Sequence, residues 1–192
     1  GVEFGSIFSR FGSKVTIVDL LPRLVPVEDE AVSAELARTF RKQGITSLTG
    51  TKVTSATVKG NKVVAQAELP DGKTQTLEAD YLLVATGRGP VIEGLGAEQV
   101  GLEIQKGFVK VDEYYRTSVE GISAVGDVIT FGEGTRHPQL AHVSSAEGIL
   151  VAERLAGQEV RPINYDHVPG CTYCDPEIGS VGLTEQAAKD GG

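Results

Sequence analysis

Few residues of this chain have both the type and the spacing that chemistry needs. Asp19 closes the β-branched run Val15-Thr-Ile-Val18, which follows the segment Gly1-Val-Glu-Phe-Gly-Ser-Ile-Phe-Ser-Arg-Phe-Gly12. A carboxylate at the end of such a strand can accept both hydroxyls of an adenosine ribose. It would also repel a 2′-phosphate, which favours NAD over NADP. The other reading is a solvated acid at a strand end. Gly1 and Gly5 would let the preceding helix approach the sheet closely, and Glu3 lies in that helix's first turn. Asp127 follows Ala124-Val-Gly126 at the end of a small-residue strand. A carboxylate there can bond a sugar-like chain of hydroxyls, with Gly126 permitting close approach. A purely local role for Asp127 stands beside that reading.

Cys171-Thr-Tyr-Cys174 raises redox and zinc chemistry, but its surroundings weigh against both. A reactive thiol pair usually sits at a helix N-terminus, where dipole and amides lower the pKa. Here the pattern is strand-like, and residues i and i+3 of a strand point to opposite faces. Spectator cysteines are therefore expected, and no metal site, since a second ligand pair is lacking and His167 alone does not supply one. His137 and His142 read as local hydrogen-bonding groups. No Ser-His-Asp or paired-carboxylate spacing can be argued.

The elements that must position these residues follow from periodicity. Phe4, Ile7, Phe8 and Phe11 recur on one helical face, and Gly12 stops that helix. The spacing predicts a strand over 14–18, a helix from Glu28 to about Gln43 and a parallel strand over 45–48. The helix has acids in its first turn and basic residues in its last. Short strands at 53–58, 62–67 and 74–77, separated by Gly60-Asn61 and Asp71-Gly72, predict an antiparallel insert. Asp80-Tyr-Leu-Leu-Val-Ala-Thr-Gly87 reads as a buried strand of the parallel sheet, so that Ala85, Thr86 and Gly87 would lie where a cofactor can rest on backbone. Further on come strands at 108–112 and 122–127, a polar loop over 130–137 and a helix over 142–156 carrying Ala146, Ile149, Leu150, Glu153 and Leu155. Strands near 168–173 and 178–183 and a helix capped by Thr184 end the chain.

Helix, glycine, strand and terminal acid make the second half of a dinucleotide-binding βαβ unit. A helix that opens at residue 1 without a preceding strand looks cut, and an open sheet edge is expected there, ready to pair with another chain. At 192 residues with 40% hydrophobic composition and 24 glycines, the chain suits a soluble α/β protein with many turns or ligand-facing backbone. It has no run of eighteen apolar residues, so no membrane span is expected. A net charge of −8 without a basic cluster argues against nucleic acid as a partner.

Several stretches together resemble the FAD-dependent pyridine nucleotide–disulfide oxidoreductases. They are the Gly1–Gly12 helix, Val15-Thr-Ile-Val-Asp19, Ala85-Thr-Gly-Arg88, Ala124-Val-Gly-Asp127, Leu140-Ala-His-Val-Ser-Ser-Ala-Glu-Gly148 and Val168-Pro-Gly-Cys-Thr-Tyr-Cys-Asp-Pro-Glu-Ile-Gly-Ser-Val-Gly-Leu-Thr-Glu185. The resemblance covers the whole chain. It implies an α/β fold in three parts: an incomplete Rossmann-like NAD-binding domain over 1–87, lacking its first strand and carrying the antiparallel insert; a returning C-terminal segment of an FAD-binding domain over 88–162; and the start of an α+β dimerisation domain over 163–192.

By the same resemblance, Gly1 is similar to the last glycine of the NAD fingerprint and Asp19 to its ribose-binding acid. Glu3 matches a glutamate that pairs with a lysine beside the flavin, a lysine this chain does not contain. Gly87 would neighbour the nicotinamide cofactor, Asp127 would hold the FAD ribitol, and Leu140, Ala141 and His142 would bring backbone to the flavin's pyrimidine edge. The implied activity passes electrons from dihydrolipoamide through a redox disulfide and FAD to NAD. The implied partners are a second copy in a homodimer and the lipoyl domains of a 2-oxo acid dehydrogenase complex, in the cytoplasm. The family's redox cysteines and its His-Glu pair match no position here, so the chain alone is expected not to turn over. Arg88-Gly-Pro90 departs from the commoner Arg-Arg-Pro or Arg-Lys-Pro. Mercuric, glutathione or nucleotide reductases of the same family, and a non-catalytic nucleotide-binding or assembly module, are the rival readings.

Overall fold

A computed structural model describes residues 1–132 and 137–192 and divides them into two compact units, Gly1–Thr86 with Pro169–Gly192, and Gly87–Val168. The expected loop over 130–137 falls partly outside the described residues.

The first unit opens with helix α1 (Val2–Arg10), which ends at Gly12 in the left-handed conformation, φ +90°. Strand β1 (Thr16–Val18) follows, then helix α2 (Glu30–Lys42) and strand β2 (Thr46–Leu48), paired in parallel with β1 as expected for a βαβ connection. Phe4, Ile7, Phe8 and Phe11 do share a face, but it is the exposed one, with Phe11 at 81% exposure. Gly5 and Ser6 are its buried residues, and Gly5 faces Ile17 and Val15 at a separation that leaves no room for a side chain.

The insert forms as an antiparallel meander of β3 (Lys52–Lys59), β4 (Lys62–Glu68) and β5 (Thr74–Ala79). Gly60 and Gly72, at φ +60° and +80°, make its two turns. The expected buried strand after it is absent. Residues 81–85 adopt no ladder pairing among the described residues, and Tyr81 is 91% exposed with Leu82, Leu83 and Val84 also open. An apolar run becomes a buried strand only when neighbours supply both hydrogen bonds and a covering layer. In this unit β1 and β2 pair only with each other.

The second unit contains a short helix α3 (Ala97–Val100) and a small sheet ordered β6 (Ile104–Gln105), β7 (Phe108–Lys110) and β8 (Ile129–Thr130), antiparallel then parallel. The strand expected over 122–127 is instead a single bridge between Arg116 and Ser123 followed by a 3-10 turn at Gly126–Val128. Gly126 at φ +80° cannot continue a ladder and bends the chain. Helix α4 (Ala141–Leu155) buries Val143, Glu147 and Leu150. Of the residues that mix apolar and polar character along it, Leu150 is buried while Ile149 and Leu155 are exposed. The core gathers Val109, Val111, Tyr115, Ile129 and Leu150.

Residues 169–192 pack back on the first unit as β9 (Gly170–Thr172), β10 (Ile178–Ser180) and helix α5 (Glu185–Gly191), whose Thr184 hydroxyl accepts the Ala187 amide as expected. Cys174 and Ile178 join Leu24, Leu36, Phe40 and Ile45 in that unit's core. Further ties run from α2 and its entry loop. The Ser180 hydroxyl donates to Glu28 at 3.2 Å, and the Glu185 amide donates to Asp29 at 2.7 Å.

Candidate functional site

In the first unit the end of β1 presents Asp19. Its amide donates to the Leu48 carbonyl and its carbonyl accepts the Thr51 amide, each at 2.9 Å, so backbone pairing fixes the residue on both sides. One carboxylate oxygen, Oδ1, accepts the Leu21 amide at 2.9 Å. That bond sets the orientation of the carboxyl group, and Oδ2 has no hydrogen-bond donor among the described residues. The nearest following cation, Arg23, is committed elsewhere: its guanidinium donates to the Pro26 carbonyl at 3.0 Å and the Glu28 carbonyl at 3.4 Å. An arginine held on backbone carbonyls is a poor phosphate ligand, and the site has the character of a hydroxyl acceptor.

Gly1 and Glu3 stand in the same unit. The Gly1 carbonyl accepts the Gly5 amide at 2.9 Å, and space is open where a Gly1 side chain would lie. Glu3 Oε1 accepts the Tyr173 amide at 2.8 Å, which ties α1 to the segment following β9. Cys171 is exposed, Cys174 is buried, and neither forms a disulfide. Burial, with the nearby Glu3 carboxylate adding to it, pushes the Cys174 thiol above its usual range, the opposite of activation.

The second unit assembles the other sequence-expected residues around the turn Gly126–Asp127. Gly126 leaves little room: a Cβ there would stand 3.2 Å from Ser144 Oγ. The turn is held at three points. The Gly126 amide donates to Glu147 Oε2 at 2.7 Å, Gln139 Nε2 donates to the Asp127 carbonyl at 3.2 Å, and Arg88 Nη2 pairs with Asp127 Oδ2 at 2.9 Å. The Arg88 pair is largely exposed and contributes at most about 1 kcal/mol. Asp127 is partly exposed, so its carboxylate can meet a ligand. Gly87, adjacent to Arg88, sits at φ +123° with open space around it, where backbone can be approached. Leu140 is the N-cap of α4 and Ala141 and His142 form its first turn, in which amides lack helical acceptors. His142 is exposed.

The sequence reading missed the group that carries this arrangement. Glu147 is fully buried, and besides Gly126 it accepts His137 Nε2 and the Tyr165 hydroxyl on Oε1, both at 2.7 Å. Tyr165 in turn meets the Tyr115 hydroxyl at 2.8 Å. Burial pushes the Glu147 carboxyl up, but the bonds from His137, Tyr165 and the Gly126 amide outweigh it and leave the group below its ordinary range. Burial and the neighbouring Glu147 push Tyr165 well above the usual phenol range, so it stays a donor. A signal did exist: a glutamate at the position between Val143 and Leu150 lies on the buried stripe of α4, where an acid needs partners.

Comparison with known proteins adds what geometry alone leaves open. Residues 1–148 match the family described as Pyridine nucleotide-disulphide oxidoreductase. Curated relatives include the dihydrolipoyl dehydrogenases of Mycobacterium leprae, 43% identical over 194 residues, and Chlorobaculum tepidum, 42% identical over 192 residues; both alignments cover 100% of this chain and 40% of the relative. Among solved structures, LpdA from Mycobacterium tuberculosis superposes with a TM-score of 0.87 at 28% identity, covering 99% of this chain and 39% of that one. The HOCl-induced flavoprotein disulfide reductase RclA from Escherichia coli superposes at 0.84 with 30% identity, covering 98% of this chain and 41% of that one. This chain thus spans about 40% of the length of the curated relatives it matches. With the family match extending over more than three quarters of its residues, and with an acid-ended βαβ strand and a glycine–aspartate turn present, the chain belongs to the pyridine nucleotide-disulphide oxidoreductase family.

Proposed function

We propose that this chain is part of a dihydrolipoyl dehydrogenase, which passes electrons from dihydrolipoamide through a redox disulfide and FAD to NAD. The observation that carries the reading is the Gly126–Asp127 turn, fixed by Glu147 and Gln139 with its carboxylate accessible. A crowded glycine beside an oriented carboxylate fits a ligand with a chain of hydroxyls, as the flavin's ribityl group is. When bound, FAD supplies the two-electron relay between dithiol and nicotinamide.

The chain's own residues contribute binding and orientation. Asp127 accepts ribityl hydroxyls, and the first-turn amides of Ala141 and His142 offer donors to the electron-rich pyrimidine edge of the flavin, beside Leu140, whose own amide is held on the Pro138 carbonyl at 3.0 Å. Asp19 accepts the adenosine ribose of NAD with the oxygen that Leu21 leaves available, and repels a 2′-phosphate. Gly1 and Gly87 give backbone access to the nicotinamide cofactor, and Glu3 supports the flavin side. On this reading residues 1–87 serve NAD, 88–162 serve FAD and 163–192 open a dimerisation domain. The partners are a second copy and the lipoyl domains of a 2-oxo acid dehydrogenase complex, and the setting is cytoplasmic. Among the described residues no helix is long and apolar enough to cross a membrane.

The test is reconstitution of the full-length polypeptide with FAD. The wild type is expected to bind flavin and oxidise dihydrolipoamide with NAD, and D127A is expected to weaken FAD binding by about tenfold or more, equivalent to about 1.4 kcal/mol. Unchanged flavin affinity in D127A would remove the reading of this turn. The likeness to RclA supports a second reading, a flavoprotein disulfide reductase with a different substrate. Flavin binding with NADH oxidation but no dihydrolipoamide turnover would favour it.

A further inference from the structure

We propose that Glu147 is the positioning residue of the flavin site, holding the Gly126–Asp127 turn from inside the second unit so that the Asp127 carboxylate meets the ribityl chain. The inference rests on the function proposed above and names a residue that the resemblance did not assign.

Glu147 lies at the centre of α4 on the stripe formed with Val143 and Leu150, at 0% side-chain exposure. A stripe residue whose task is packing would be apolar, since a buried carboxylate must recover a large desolvation penalty through its partners. Glu147 recovers it through three donors, and they come from separate parts of the unit. Gly126 lies in the 3-10 turn, His137 in the segment leading to α4, and Tyr165 in the 3-10 turn at Tyr165–His167. The group therefore acts as a hub, with one of its spokes ending on the residue before Asp127.

Geometry makes that spoke specific. The Gly126 amide has no backbone acceptor among the described residues, so Glu147 Oε2 at 2.7 Å is what satisfies it. Gly126 takes φ +80°, a conformation whose neighbours direct the following side chain only while the backbone stays in it. Behind Glu147 the support is itself rigid. Tyr165 bonds Tyr115, which is fully buried and packs on Phe131 with ring centroids 6.0 Å apart, and Phe131 packs on Tyr165 at 5.2 Å. His137 is likewise 5% exposed. A turn held from the solvent side only by Arg88 and Gln139 would have far more freedom.

The prediction separates positioning from general stability. In the full-length flavoprotein, E147Q keeps the shape but leaves one neutral acceptor oxygen for three donors, with an NH2 group in place of the other oxygen. It is expected to raise the FAD dissociation constant about tenfold, read by flavin fluorescence, and to speed hydrogen exchange of the peptide carrying Gly126 in the apoprotein. The effect should disappear in a D127A background, because Glu147 acts through Asp127. Y165F removes a different donor from the same carboxylate. It is expected to lower the apoprotein melting temperature and to raise the FAD dissociation constant less than E147Q does, because the Gly126 amide keeps its carboxylate acceptor; an equal or larger loss of FAD affinity in Y165F would place the positioning role on Tyr165 instead. Should E147Q not accumulate, E147D, which withdraws the carboxylate by one methylene, is expected to act in the same direction.

Unchanged FAD affinity in E147Q, or E147Q and D127A effects that simply add, overturns the inference while leaving the flavin site standing. Failure of the wild type to bind FAD, or wild-type affinity in D127A, overturns the functional reading on which it rests.

Discussion

Gly5 and Ile17 are in contact at the limit of what two residues allow: a Cβ built on Gly5 would stand 2.9 Å from Ile17 Cδ1 and 3.3 Å from its Cγ1. This contact sets the separation of α1 from β1, and with it the position of the acid that ends β1. The face is small on the helix side because the strand side is branched.

The first prediction follows directly. G5V puts branched atoms where Ile17 already sits, and overpacking of this kind costs typically about 1–3 kcal/mol. The melting temperature of the full-length protein is expected to fall, and I17A in the same background to restore part of the loss by making room. A G5V protein as stable as wild type would show that α1 can move away from β1 freely.

Asp19 should decide the nucleotide. With Oδ1 fixed on the Leu21 amide and Arg23 held on the carbonyls of Pro26 and Glu28, no cation in this loop is turned to a 2′-phosphate. D19S is expected to raise KM for NADH by about tenfold, as loss of a charged hydrogen bond of about 1.5–3 kcal/mol implies, while narrowing the preference for NADH over NADPH. Steady-state kinetics with both cofactors reads it. Unaltered discrimination would assign the choice to other residues.

Acid stability should carry the signature of Glu147. Its folded-state pKa is depressed below the ordinary value of 4.5. The stabilisation it brings is therefore complete above about pH 4.5 and is lost as the pH falls through the lower, folded-state value. Denaturant midpoints measured from pH 6 down to pH 3 should fall for the wild type, and less steeply for E147Q, which has no carboxyl to protonate there. Parallel curves for the two proteins would mean that other carboxylates account for the acid limb.

Much of the fold was legible because it depends on local chemistry. The 3.6-residue and two-residue periods located α2, the β3–β4–β5 meander and α4, and glycines at positive φ marked where they stop. The same signal failed where burial depends on neighbours. The Tyr81–Val84 run carries every property of a core strand and is exposed, and the aromatic face of α1 points outward while Gly5 and Ser6 are covered. Periodicity says which residues share a face. It does not say which face another element will cover.

The candidate site divides the same way. Sequence by itself determined the residue types at the decisive places: an acid after β1, a glycine–aspartate pair before β8, and the Leu140-Ala-His142 opening of α4. It also determined the family, whose motifs span the chain in order. Only the tertiary structure decided what holds those residues. Glu147 is twenty-one positions from Gly126, and its bond to that amide exists because α4 lies against the 3-10 turn. A buried carboxylate acquires its role from the donors that surround it, and those donors are brought together by packing rather than by spacing along the chain.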